Sequence, residues 1–307
     1  MFCARICSIV LIAATAVSAQ AVRKPATQAF RTINVISEPG AKVWLDGVYF
    51  GKVAGDGNLT IKTVTAGAHK LKLRLDGYGP KEQAITAVQR GDVTVSLANT
   101  TDKAELAYQE AERLALEDRE KAVAKFKQAI ELRPNFPDAY LAMARVQIEA
   151  DELDEALDSI TTARKQRPAF AEASAVEGRI HKELGDDEKA IAAFKRAITE
   201  GKGFQPEAYT GLGLFYKAKA EAEDESNSDN KDAMFAEATK NLRVALKQLS
   251  GAPDAVVIYQ LLGLAYERNG KNAEAIAVYE EFLRIFPDTP EATSVRSFIV
   301  QLKKSEM

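Results

Sequence analysis

Side chains able to do covalent or metal chemistry are few in this sequence, and they are scattered. The 307 residues include two Cys, Cys3 and Cys7, and two His, His69 and His181. A thiolate zinc site, a disulfide frame or a cysteine nucleophile would need such residues within the body of the chain, and all three are excluded there. His69 has no Ser, Asp or Glu at a spacing that marks a relay or a ligand set, so it reads as a structural residue. One stretch does alternate side-chain oxygens: Asp224, Ser226, Ser228, Asn230 and Asp232. A twelve-residue calcium loop wants Gly sixth and Glu twelfth, where Asp229 and Phe235 stand, so a solvated loop is expected. Gly211-Leu212-Gly213 falls inside a helical pattern and not after a strand, which argues against a phosphate loop. The expectation is a protein without catalytic residues, metal or cofactor.

The composition is that of a folded chain. Hydrophobic residues make up 46% and charged residues 28%, with a net charge of −3. Such a balance supplies no global basic field for nucleic acid. The charge is unevenly spread, however. Residues 20–100 hold 11 Lys and Arg against 6 Asp and Glu, while residues 101–307 hold 29 against 38. With this length, two domains of different class are expected to meet near Thr101 and to fold as separate units.

The first residues read as an address. Arg5 precedes an apolar run from Ile6 to Val17, which ends in Val17-Ser18-Ala19. That run is too short for a membrane-spanning helix, which needs about 20 residues, and its small C-terminal residues suit signal peptidase. Residues 1–19 are therefore expected to be a signal peptide cleaved near Ala19, with 20–30 a linker. The mature chain is expected to be exported, most simply to a bacterial periplasm or cell envelope, with no transmembrane anchor.

Residues 31–98 carry strand and turn signals. Ile33–Ile36 leads into Ser37-Glu38-Pro39-Gly40, and Asp46-Gly47 suits a two-residue hairpin turn. Leu71-Lys72-Leu73-Arg74-Leu75 alternates an apolar and a basic face. Six or seven such strands indicate a small antiparallel sandwich or barrel. Glu38-Pro39-Gly40-Ala41, Val43, Asp46-Gly47, Gly51, Gly67, His69 and Gly77-Tyr78 give this segment a resemblance to the PEGA domain. That family departs from the chain at Val53-Ala54, where it usually has a Thr-Pro-like pair. The resemblance implies a cell-envelope setting.

A period of 34 residues governs the remainder. Ala122, Ala156 and Ala190 keep it, as do Ala129, Ala163 and Ala197, and Pro134 and Pro168. Small residues let paired helices approach, and Pro stops the second helix because it lacks an N–H. With Tyr209, Leu212, Gly213 and Tyr216 repeated at Tyr259, Leu262, Gly263 and Tyr266, the pattern resembles the tetratricopeptide repeat. Five repeats follow: 103–136, 137–170, 171–205, 206–255 and 256–289. A capping helix over 290–304 places Val295, Phe298, Ile299 and Leu302 on one side. An acidic insert at 221–233 lengthens the fourth repeat. The expected fold is thus a small antiparallel β-sandwich followed by an all-α solenoid.

In tetratricopeptide stacks, positions 2, 5, 9 and 12 of the first helix line the concave side. The resemblance therefore implies a groove containing Leu141, Arg145, Arg179, Lys182, Leu214, Lys217 and Gln260. Four cations within an acidic domain suggest recognition of an acidic or C-terminal-carboxylate segment of a protein partner, although Asp138, Glu172 and Glu207 at position 2 could neutralise them. The expected function is an exported, non-enzymatic adaptor whose groove binds a partner protein while the PEGA-like domain contacts an envelope component. An alternative is a cell-wall or glycan-binding module using Trp44, Tyr49 and Phe50 as stacking surface, with the solenoid serving oligomerisation.

Overall fold

A computed structural model describes residues 30–249 and 251–305. The signal peptide and nearly all of the linker expected at the N-terminus lie outside the described residues. Seven strands come first: β1 (Arg31–Ile36), β2 (Lys42–Leu45), β3 (Val48–Lys52), β4 (Asn58–Val64), β5 (His69–Arg74), β6 (Lys81–Ile85) and β7 (Gly91–Thr94). They form two sheets, ordered β4-β1-β7 and β3-β2-β5-β6. Ile33, Val35, Val43, Leu71, Leu73 and Ile85 fill the space between them, each fully buried. Period-2 alternation explains the choice of face, since one apolar row per strand points inward.

The β2–β3 turn is the sharpest local feature. Asp46 and Gly47 both take positive φ, 52° and 84°, as a two-residue turn matched to strand twist requires. Asp46 Oδ1 accepts from the Lys70 N–H at 2.7 Å, and Asp46 Oδ2 lies 2.6 Å from His69 Nδ1. The turn is thereby stapled to the start of β5. One pair departs from the antiparallel expectation: β1 and β7 run parallel. The chain reaches β7 from β6, the edge of the other sheet, so it arrives by a crossing connection and not by a tight hairpin.

Eleven α-helices follow among the described residues: α1 (Lys103–Leu114), α2 (Arg119–Leu132), α3 (Pro137–Glu149), α4 (Leu153–Gln166), α5 (Ala171–Glu183), α6 (Asp187–Glu200), α7 (Pro206–Ala222), α8 (Ser228–Leu249), α9 (Ala255–Arg268), α10 (Asn272–Ile285) and α11 (Glu291–Ser305). Asp102 caps α1, its carboxylate accepting from the N–H groups of Ala104 and Glu105. The alanines of the 34-residue period, Ala122, Ala156 and Ala190, are fully buried in α2, α4 and α6. Gly178 shows why the crossings need small residues. A Cβ there would lie 2.6 Å from the Phe194 ring, so any side chain would force α5 and α6 apart.

Two expectations need correction. The acidic insert is mostly helical, because α7 runs to Ala222 and α8 begins at Ser228. Residues 223–227 make the connection, where Asp224 accepts from Ser226 N–H at 2.9 Å and starts a short 3₁₀ turn. Ser228, Asn230 and Asp232 thus lie on a helix, and the alternating oxygens do not form a loop. On α11, Val295 is 1% exposed but Phe298 is 43% exposed, so the capping face is narrower than the sequence pattern suggests.

The two halves also do not stand apart. The basic face of β5 turns toward α1, where Arg74 Nη2 donates to Glu105 Oε1 at 2.7 Å and the guanidinium stacks 4.2 Å over the Tyr108 ring. At the other end, Val48 belongs to the apolar cluster of Leu249 and Ile258 on α8 and α9, and Phe50 packs against both cores. The sandwich spans the concave side of the solenoid like a string across a bow.

Candidate functional site

Between the hairpin and the helices lies a cavity of about 930 Å³. One wall is the concave face, with Leu141 and Arg145 on α3, Glu172, Arg179 and Lys182 on α5, and Glu207 and Leu214 on α7. The opposite wall is the β2–β3 hairpin, through Trp44, Asp46, Val48 and Tyr49, and the end is closed by Leu249, Asp254 and Ile258. The α-helical period explains the first wall. Residues three and four apart share a helix face, and equivalent faces of successive repeats stack into one surface.

Five of the seven expected groove residues meet here: Leu141, Arg145, Arg179, Lys182 and Leu214. Lys217 and Gln260 do not line the cavity. Lys217 binds Glu221 at 2.8 Å, one turn along its own helix, and Gln260 is half-buried on α9. The cavity ends before them because Val48 already fills the space against α8 and α9. The hairpin wall was missed in the sequence reading. Its one available signal was Val48, an aliphatic residue directly after a turn, but alternation alone sets it opposite Leu45 and so within the sandwich.

The cations are not a free row. Arg145 pairs with Glu207 at 2.5 Å, Arg179 with Glu149, and Lys182 with Glu183 at 3.0 Å. Glu207, the position-2 acid of the fourth repeat, thus neutralises an arginine of the second, and its charge raises the Arg145 pKa despite burial. Asp138 is held below the usual carboxylate range. Burial alone would raise it, but the hydrogen bonds and charge of Arg167, 2.6 Å away, prevail. Asp254 behaves oppositely: burial, then the negative Glu207 nearby, push it up. Burial and Asp254 in turn push the Tyr49 phenol up. The cavity wall therefore has more carboxylate than the expected cation row implied.

His69 has a relay-like neighbourhood that the sequence spacing concealed. Its Nε2 lies 3.4 Å from Thr65 Oγ1 while Nδ1 faces Asp46. Nε2 also lies 3.0 Å from the Thr65 carbonyl oxygen, which can only accept. A ring N–H committed to that carbonyl cannot take the Thr65 proton, so the arrangement holds the turn and does not activate a nucleophile.

This geometry defines an α-solenoid closed across its concave side by a β-sandwich. The PEGA domain family matches residues 30–101, and tetratricopeptide repeat families match residues 113–180, 171–200 and 256–296. The chain carries a PEGA domain followed by tetratricopeptide repeats. Among solved structures, yeast Tom70 is similar with a TM-score of 0.53 at 18% identity, over 67% of this chain and 41% of Tom70. MamA gives 0.43 at 20% identity, over 61% of this chain and 93% of MamA. A thermophilic TPR protein of Thermus thermophilus gives 0.49 at 20% identity, over 65% of this chain and 98% of that protein. At such identities the likeness concerns the fold. No curated protein matches the chain. Among the described residues no helix is long and apolar enough to cross a membrane.

Proposed function

We propose that this protein is an exported, non-enzymatic adaptor whose solenoid groove holds a segment of a partner protein in a bacterial periplasm or cell envelope. The observation that carries the reading is the cavity of about 930 Å³ lined by concave positions of three successive repeats. Its size lies at the upper end of the range of about 300–1,000 Å³ typical of small-molecule sites, room for the side chains of a short segment. Export rests on the apolar run Ile6–Val17 and the small residues before Ala19.

An acidic or C-terminal-carboxylate segment was the partner suggested by the four cations of the concave positions, with the position-2 acids set against them. With Glu207, Glu149, Glu183 and Glu221 paired to them, that preference loses its support. Apolar positions such as Leu141 and Leu214 then carry the anchoring. The glycan reading loses Phe50, which packs between the two cores, while Trp44 and Tyr49 line the same cavity, so a polymer would have to enter the groove itself. None of the three forms an open stacking platform.

A photo-crosslinking residue at Leu214 of the full chain, exposed to envelope extract, tests the groove. A discrete protein adduct is expected there, and none from the same residue at Val88, which is 83% exposed in the β6–β7 connection. Equal adducts from both positions, or none from Leu214, would sink the reading.

A further inference from the structure

The hairpin that walls the cavity is itself seated in the groove. Val48 is 6% exposed, yet it belongs to the cluster of Leu249 and Ile258 and not to the core of its own sandwich. At the tip, a Cβ placed on Gly47 would lie 3.7 Å from Glu172 Oε1, so the turn reaches α5 in the middle of the concave face. On the other sheet, a Cβ on Gly251 would lie 3.0 Å from Thr63 Cγ2, which brings β4 against the loop between α8 and α9. A segment running across α3, α5 and α7 meets this turn. The hairpin tip and such a segment compete for one surface.

We propose that the β2–β3 hairpin is a built-in occupant of the groove, and that a protein segment enters by displacing it. The displacing segment offers what the hairpin offers: an aliphatic side chain directly after a tight turn, taking the place of Val48. The proposal rests on the groove reading above for its natural partner. The seat itself rests on the contacts just given. The attachment at α1 stays in place during this exchange, because Arg74 and Glu105 are both buried and separating them would strand a charge. The apolar tip has no such constraint, since its contact is non-directional and reversible. Docking in cis lowers the apparent affinity for any competitor by the fraction of chains with a free seat.

The test uses the full chain and a disulfide-closed peptide of residues 41–53, labelled with a fluorophore. In Val48→Asp the aspartate cannot occupy the apolar seat, so the hairpin is released. Peptide binding at least about tenfold tighter than in wild type is expected, as a seat free in about a tenth or less of wild-type chains requires. Small-angle scattering should show a larger radius of gyration, with helical circular dichroism unchanged. Val48→Ala provides a second, milder route, because it trims the side chain that fills the seat and leaves the groove that the peptide enters unchanged. It decides the matter should Val48→Asp fail to fold. Equal peptide affinity in wild type and Val48→Ala, with an unchanged radius of gyration, would overturn the proposal. The peptide needs no natural partner, so this failure is distinct from a failure of crosslinking at Leu214.

Discussion

The sandwich is held on the solenoid at both ends, and the two end contacts are chemically opposite. At α1 the contact is polar and buried. Arg74 reaches Glu105 at 2.7 Å and Glu112 at 3.6 Å. Gln109 donates to Glu105 Oε1 at 3.0 Å and to the Tyr78 carbonyl at 2.8 Å, and accepts from the Gly77 N–H at 2.8 Å. Burial alone would lower the Arg74 pKa, yet Tyr108, Glu112 and Glu105 together raise it, so the cation is secure. At α8 and α9 the contact is apolar, with Val48 and Phe50 as its main sandwich-side residues. A directional network fixes orientation because only one geometry satisfies every donor, whereas an apolar contact favours closeness alone. One contact sets the angle between the halves and the other sets whether the groove is closed.

The comparison breaks most directly at Arg74. Arg74→Ala leaves Glu105, whose side chain is 5% exposed, as a buried carboxylate without its main partner. Loss of one member of a buried pair costs about 3–5 kcal/mol, and that loss is expected in urea unfolding of the full chain. A cost below about 1 kcal/mol would mean that the α1 contact is no more demanding than the apolar one. Val48→Ala comes next. It removes two methyl-sized groups from an apolar cluster, worth about 1–2 kcal/mol at roughly 0.8 kcal/mol per group. The two losses should add within about 0.5 kcal/mol if the contacts act independently, and a larger coupling would show that the sandwich moves as a rigid lever.

These two contacts differed in how visible they were beforehand. The Asp46-Gly47 turn follows from φ requirements local to two residues, and the buried alanines follow from a period that repeats along the chain. The basic face of β5 was visible as Lys72 and Arg74, but alternation alone reads as a solvated face. Its burial depends on Glu105 and Gln109, which lie 31 residues from Arg74 and 32 residues from Gly77. The groove positions were legible because a helix face is set by local periodicity. Their charge state was not, since Arg145 finds Glu207 across 62 residues. Reversing Arg145 to Glu would therefore place two carboxylates together before any partner is considered. Pairing across repeats is tertiary information, and a list of positions on one face does not contain it.

The smallest expected effect concerns Asp254, at the closed end of the cavity between the apolar seat and the acidic wall. It precedes α9 but makes no side-chain capping bond, and burial and then Glu207 raise its pKa. A carboxyl whose pKa is higher in the folded state binds its proton more tightly there. Its contribution to stability is thus lost as pH rises from the unfolded value, about 3.9, through the folded one. At neutral pH the ionised group is a small liability, where the ionised and paired Arg74 network is none. Asp254→Asn keeps a good capping residue type and removes the charge. It should stabilise the chain by a few tenths of a kcal/mol at pH 7, a discounted figure because the site is partly solvated. The gain should shrink toward zero near pH 3.5, where Asp254 is mostly protonated in both states. Urea midpoints of both chains at the two pH values measure it. A gain that persists at pH 3.5 would assign the effect to packing or capping, and a loss at pH 7 would show that the carboxylate has a favourable partner when the seat is closed.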